Sequence, residues 1–193
     1  SLFFLFGVAI LYAAYATVDL TALAGKVQPS PLAWSALALM AAGLLIKGAV
    51  FPLHFWLPPA HANAPTPVSA LLSALVVKAS FYILLRLWFE LFSAVVTPAA
   101  ASFLGLLGAG AIFWGSAQAL HQPRLKLLVA YSTVAQLGYL MLVFPLAQNA
   151  GSALTAWSAC VYFVLAHACA KTAMFLAAGN IAHAAGHDRI AEL

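Results

Sequence analysis

Charge is what this sequence has least of. Of 193 residues, 8 are Lys or Arg and 4 are Asp or Glu, against 65% hydrophobic residues and a mean hydropathy of +1.02. So few polar side chains cannot clothe a water-facing surface, which excludes an ordinary soluble domain and puts the chain in a bilayer. The formal charge of +4 does not imply a nucleic-acid partner, because the basic residues are scattered singly through apolar segments instead of gathered on one face. Cysteine is nearly as scarce. Cys160 and Cys169 lie on roughly opposite faces of one predicted helix at about 100° per residue, and no C-x-x-C or Cys/His ligand spacing accompanies them. No cysteine cluster, paired axial ligands or Gly-rich nucleotide loop is present, so no metal, cofactor or redox site is expected on this chain. No nucleophile and base stand at usable spacing either, which leaves an intramembrane enzyme the least favoured class. The chain opens on Ser1 without a methionine or a basic leader and reads as an excerpt starting mid-protein.

Long apolar runs are what it has instead. Six segments near the roughly 20 residues needed to cross a bilayer are predicted at 2–17, 31–51, 67–92, 98–120, 125–146 and 153–178. They form one transmembrane domain over 1–193, an all-α polytopic bundle, with a cytoplasmic tail at 186–193. Ser30-Pro31, Thr66-Pro67 and Thr97-Pro98 each offer a hydroxyl for the N-cap and proline for the first helical position. The loop holding Arg124 and Lys126 is the only connection with two basic residues. The positive-inside rule therefore assigns it, the His61 loop and the tail to the cytoplasm, with Lys26 as a counter-vote.

Within this apolar frame a few ionisable groups stand out. Lys47 sits at the end of an uncharged run, just before the proline-punctuated stretch Pro52 to Pro67. A helix broken at membrane depth is tolerated only inside protein or beside a wet cavity, so the lysine and the break suggest an ion path; the plainer alternative is a lysine reaching for the interface. At about 1.5 Å per residue from Pro67, Lys78 lies roughly 17 Å into a slab about 30 Å thick, too deep to reach water easily. Lys171 is intermediate, and His167 precedes it by one helical turn, a spacing suited to passing protons between wet pockets. A lysine out of water holds its proton less firmly, and a carboxylate or a water chain restores that hold, which is the property a relay requires. Acids are too few and too near the segment ends to neutralise all three lysines. Arg86 and Glu90, at i and i+4, fit an ion pair orienting their helix better than a relay. Ser132, Gln136 and Tyr139 are spaced along one helical face as polar glue between helices. His54 is expected to make a polar contact beside the break and His61 to serve in a loop; a metal there would need ligands that the loop lacks.

Five blocks in order carry a resemblance. They are Lys47-Gly-Ala-Val-Phe-Pro-Leu-His-Phe-Trp-Leu-Pro58, Ala60-His-Ala-Asn-Ala-Pro-Thr-Pro-Val-Ser-Ala-Leu-Leu72, Val77-Lys-Ala79, Leu128-Val-Ala-Tyr-Ser-Thr-Val-Ala-Gln136 and His167-Ala-Cys-Ala-Lys-Thr-Ala-Met-Phe-Leu176. The chain resembles the antiporter-like membrane subunits shared by respiratory complex I, membrane-bound hydrogenases and Mrp-type cation/proton antiporters. The resemblance implies the middle helices of such a subunit, with Lys47 as the lysine of the first broken helix, Lys78 as the lysine some subfamilies carry on the next, and His167 and Lys171 in the later relay. It also implies that the glutamate partnering the first lysine lies upstream. Where many relatives carry histidine this chain has Ser73, and Arg124-Leu-Lys126-Leu127 departs from the usual acidic residue followed by Leu-Lys-Arg.

The expected function is proton translocation through Lys47, Lys78, His167, Lys171 and water, with His54, Arg86, Glu90 and Gln136 as secondary candidates. The chain would belong to an ion-pumping complex as one of its subunits, NADH:quinone oxidoreductase-like or Mrp-type. Expected partners are other membrane subunits, the lipid bilayer, protons and possible sodium ions, and the expected location is a bacterial inner membrane. The alternatives are a static membrane scaffold and a subunit of an ion-coupled inorganic-carbon or cation transporter.

Overall fold

The computed structural model describes residues 1–192 and consists of helices joined by short connections. Their order is α1 (Leu2–Tyr15), α2 (Leu20–Leu23), α3 (Pro31–Lys47) and α4 (Leu57–Asn63). Then come α5 (Thr66–Leu91), α6 (Pro98–Leu120), α7 (Leu125–Leu146) and α8 (Ala153–Ala185). The last four are long and apolar enough to cross a membrane, while α1 and α3 are shorter apolar helices. Among the described residues no strand forms; one antiparallel bridge joins Arg124 to Arg189.

The helix starts follow local chemistry. Ser30 caps α3 by accepting the Ala33 N–H at 3.1 Å, and Thr97 caps α6 by accepting the Ala100 N–H at 3.2 Å, each with proline at the next position. The cap expected from Thr66 does not form. Pro65 occupies the N-cap position and Thr66 is the first helical residue, its side chain pressed against Gly179 of α8. Near the same end of the molecule, Gly186 closes α8 in the left-handed conformation at φ 76°, where a side chain would be strained.

Between α3 and α5 the chain is broken. The peptide bond before Pro52 is cis and Ala49 takes a positive φ of 52°. The Ile46 carbonyl at the end of α3 accepts both the Ala49 N–H at 3.1 Å and, from the far side of the break, the Trp56 indole N–H at 2.7 Å. Pro58 and Pro59 lie in the first turn of α4, where a missing N–H costs no hydrogen bond. The Ser69 hydroxyl then ties α5 back to the His61 carbonyl at 3.2 Å.

Packing depends on small residues where helices approach most closely. A Cβ on Gly108 of α6 would lie 2.6 Å from the Gly138 carbonyl of α7, and one on Gly115 would lie 2.6 Å from the Ala135 nitrogen. In lipid, where apolar surface gains little by leaving its solvent, such backbone proximity supplies dispersion that larger side chains would prevent. The main core joins α1, α3, α5, α6 and α7. At its centre the Phe144 ring packs against Trp88 at 5.2 Å, Phe89 at 6.0 Å and Phe81 at 6.2 Å. A smaller cluster of Ala70, Val129, Ala130 and Phe175 joins α5, α7 and α8.

One end of the bundle is laced together by the loop after α6. Arg124 Nε donates to both Asp188 oxygens at 3.0 Å, and the Leu125 N–H donates to the Asp188 carbonyl at 2.8 Å. The Ile190 N–H returns to the Pro123 carbonyl at 2.9 Å. Lys126 donates to the Ala64 carbonyl at 3.1 Å, satisfying an acceptor at the end of α4. The loop, the tail and the break are thus one connected structure.

Candidate functional site

Midway along α5 the helix widens into a π turn over Leu72–Val76, a local change that shifts backbone carbonyls out of the regular pattern. Lys78 follows it, 6% exposed, and its ammonium donates to the Ser73 carbonyl. Lys171 of α8 has no exposure at all, and its ammonium donates to the Ser132 hydroxyl of α7. Beside Ser132, the Thr133 Oγ1 stands 3.3 Å from the Ser73 Oγ, both side chains wholly buried. Three helices therefore meet at a row of polar groups running from Lys78 through Ser73, Thr133 and Ser132 to Lys171.

Two histidines flank this row. His167, one turn before Lys171 on α8, is 3% exposed and stacks on Phe163 at 6.0 Å. It lies within the electrostatic field of both Lys78 and Lys171. His61 also lies in the field of Lys171. Neither ring nitrogen of either histidine has a hydrogen-bond partner among the described residues. An imidazole always carries at least one N–H, so each ring holds a polar hydrogen with no acceptor among the described residues.

Among the described residues no carboxylate balances the two lysines. Asp19 caps α2 by accepting from Thr21, Glu90 is held by Arg86, Asp188 by Arg124 and Glu192 by Arg189. All four acidic side chains of the sequence are thus committed elsewhere. An amine buried among hydroxyls, carbonyls and imidazoles can hold a proton by hydrogen bonding and release it to an adjacent water, with no fixed negative charge to trap it.

The expected candidates are not all brought together. Lys78, His167 and Lys171 converge. Lys47 does not join them: it ends α3 as an exposed side chain lining a cavity of about 320 Å³ with Ser1, Phe4, Val76 and Ser80. His54 is buried beside the break, where it stacks on Phe51 at 5.6 Å and has the Pro52 backbone as its polar neighbour. Arg86 and Glu90 form a two-pronged pair at 2.6–3.0 Å on the exposed side of α5, apart from the lysine row. Gln136 is half-buried, one turn on from Ser132.

One difference from the sequence expectation concerns the site itself. His61 is not a loop side chain: it is entirely buried on α4, its ring stacked on Phe175 of α8 at 4.4 Å. The Pro58-Pro59 helix turns it inward, an outcome that proline punctuation alone does not reveal. Ser132 and Tyr139 do share a face toward α8, as their spacing suggested: Ser132 accepts from the Lys171 ammonium and the Tyr139 ring packs on Phe163 at 5.6 Å. Thr133 was not a sequence candidate. Its signal was adjacency to Ser132 within an apolar helix, where two hydroxyls in succession have reason to be buried only if something meets them.

An interrupted helix followed by lysines buried in mid-helix, in a bundle with long apolar helices, defines a polytopic membrane protein with an ionisable interior. The transmembrane family described as NADH:quinone oxidoreductase/Mrp antiporter matches residues 1–193, and the chain belongs to that family. It is 37% identical over 194 aligned positions to NADH-quinone oxidoreductase subunit N of Desulforudis audaxviator (strain MP104C), an alignment covering 98% of this chain and 38% of that protein. It is 41% identical to a probable K(+)/H(+) antiporter component of Rhizobium meliloti (strain 1021), over 86% of this chain and 16% of that protein. Among solved structures, a chain of the membrane-bound sulfane sulfur reductase, an archaeal respiratory membrane complex, superposes with a TM-score of 0.87 at 32% identity, covering 98% of this chain and 38% of that one. A chain of the Mrp complex from Dietzia sp. DQ12-45-1b superposes with a TM-score of 0.82 at 28% identity, covering 93% and 32%. The chain spans well under half the length of these relatives.

Proposed function

We propose that this chain is the proton-conducting segment of an antiporter-like membrane subunit within a multisubunit ion-translocating complex, in which protons pass between Lys78 and Lys171 with His167 and water beside them. The observation that carries the reading is the pair of buried lysines joined by hydroxyls and facing no carboxylate. Placing uncompensated amines in the middle of a membrane protein costs several kcal/mol, roughly 2.5–3.5 on insertion scales, and a static scaffold has no reason to bear it. Lys47, which ends α3 before the break, is assigned the neighbouring position in the path, reached through the cavity that it lines. The relatives' names support a subunit of a larger complex, with other membrane subunits as partners; a bacterial inner membrane is the site assigned to it. Redox chemistry, where the complex performs any, is assigned to partner subunits.

The test is proton flux in vesicles reconstituted with the complete complex, comparing the natural subunit with Lys78→Ala and Lys171→Ala. Each change is expected to lower flux by roughly 100-fold, the lower end of what a positioned proton-transfer group contributes. Undiminished flux in either, with the complex assembled, overturns the reading in favour of a static scaffold. A sodium gradient formed in parallel with proton flux would assign the segment to cation/proton exchange instead of a respiratory load.

A further inference from the structure

Ser132 and Thr133 are adjacent residues of α7, yet their hydroxyls share one acceptor. Ser132 Oγ donates to the Val129 carbonyl at 2.8 Å and Thr133 Oγ1 donates to the same carbonyl at 3.0 Å. Each hydroxyl has a single proton, so both are committed. On its outer side Ser132 accepts from the Lys171 ammonium. With the Thr133 proton on Val129, Ser73 must be the donor in the Ser73–Thr133 contact. Two hydrogen-bond chains therefore run inward and end on one carbonyl: Lys171 to Ser132 to Val129, and Ser73 to Thr133 to Val129. Ser73 also offers its own carbonyl to the Lys78 ammonium, which makes it the residue where the row reaches the second lysine.

A carbonyl oxygen has no proton to hand on, so these hydroxyls link the two lysines without themselves carrying the proton, whose route between the amines is the one beside them, past His167 and water. Its polarity depends on Lys171. While Lys171 is an ammonium it can only donate, and the Ser132 proton must point to Val129. When the ammonium loses one N–H proton to a water molecule, leaving a neutral amine and a hydronium ion, the nitrogen gains a lone pair. The Ser132 proton is then free to turn from the carbonyl to that lone pair. Val129 loses one of its two hydroxyl donors, and the hold on Thr133, and through it on Ser73, tightens or shifts accordingly.

We propose that Ser132, Thr133 and Ser73 form a hydroxyl coupler that turns with the charge of Lys171 and transmits that state to the carbonyl holding Lys78. The three are positioning residues: they act on the lysine amines and carry no proton across. The inference rests on the relay reading of the two lysines and adds to it which groups make them dependent on one another. Titratable groups facing Lys171 are Lys78 on α5, His61 on α4 and His167 on its own helix, with Lys126 of α7 acting on His61 from the loop end. The pH response of flux reports on this whole set, so the coupler is tested by what changes when only a hydroxyl is removed.

The experiment is the flux–pH profile of the reconstituted complex carrying Ser132→Ala, Ser132→Thr, Thr133→Val and Ser73→Ala, with Lys171→Ala alongside. A hydrogen bond to a charged group carries enough free energy that losing one is expected to lower flux roughly tenfold and to displace the profile midpoint by roughly one pH unit. Ser132→Ala, which removes the acceptor of the Lys171 ammonium, should do so; Thr133→Val and Ser73→Ala, which remove bonds between neutral groups, should move both readouts the same way by less; and Ser132→Thr, which keeps the hydroxyl, should restore both. Natural flux and an unmoved midpoint in Ser132→Ala and Thr133→Val, while Lys171→Ala abolishes flux, overturns the coupler and leaves the relay intact. Natural flux in Lys171→Ala overturns the relay itself. A loss in Ser132→Ala that Ser132→Thr does not restore is a packing effect and also overturns the coupler. If Ser132→Ala fails to assemble, Thr133→Val, nearly the same shape as the residue it replaces, decides the matter by the same midpoint.

Discussion

Lys47 and Lys171 are the same side chain in two different surroundings. Lys171 is enclosed by α4, α5 and α7, with a hydroxyl to donate to and a histidine on either side. Lys47 sits at the last turn of α3 with its side chain exposed, and a cavity that it lines is walled mostly by apolar groups. An apolar run with a lysine in it is common to both. What separates them is how many helices converge on the amine, and a buried amine needs those helices to supply the acceptors that water would otherwise provide.

That contrast can be broken first by chemical labelling. In a background with Cys160 and Cys169 replaced by Ser, a cysteine introduced at Lys47 is expected to react with a water-soluble maleimide at least roughly 100-fold faster than one at Lys171 or Lys78, since thiol reactivity requires access. Equal rates would mean that the interior of the bundle is as open as its edge. A second way is to force the bundle apart. A Cβ at Gly138 would collide with the Gly108 carbonyl across the α6–α7 contact, and Gly138→Val is expected to cost roughly 1–3 kcal/mol of stability, seen as a lower melting temperature in detergent. The same change should raise labelling at position 171 toward the rate at 47; an unaltered melt would show that α6 and α7 can separate without penalty.

Smaller effects sharpen the picture at the periphery. Asp188→Ala removes the carboxylate that Arg124 grips at the end of the bundle where the break, the loop and the tail meet. A partly exposed pair of this kind is worth about 1 kcal/mol or less, so the expected outcome is a slight fall in melting temperature, with faster amide exchange at Leu125 and Ile190, whose N–H groups close this junction. Arg86→Gln should do least. Its bond to Glu90 lies on the outer side of α5, and flux within about twofold of the natural level is expected because exposed i,i+4 pairs contribute little. A large loss there would bring that pair into the conducting path after all.

Much of this was readable from the residues in order. Three lysines placed among apolar runs, a proline-rich interruption and long uncharged segments point to an all-α membrane bundle with an ionisable interior, because the charge has nowhere else to go. The Ser30 and Thr97 caps were legible for the same reason: capping is decided within four residues. His61 was misplaced because the Pro58-Pro59 turn decides whether it faces water or Phe175, and Phe175 is more than a hundred residues away in the chain. The Thr66 cap failed because Pro65 holds the N-cap position and Gly179 of α8 receives the threonine side chain.

Composition and spacing alone, then, determined that this chain lives in lipid as helices and that lysines are kept among them, since hydropathy and helical periodicity are properties of neighbours along the chain. Only the tertiary structure decided which amines are enclosed, that Ser73, Thr133 and Ser132 stand between them, and that Lys47 does not join that row. Those outcomes depend on which helix faces meet, and the glycines that set the α6–α7 contact act on groups far from them in sequence.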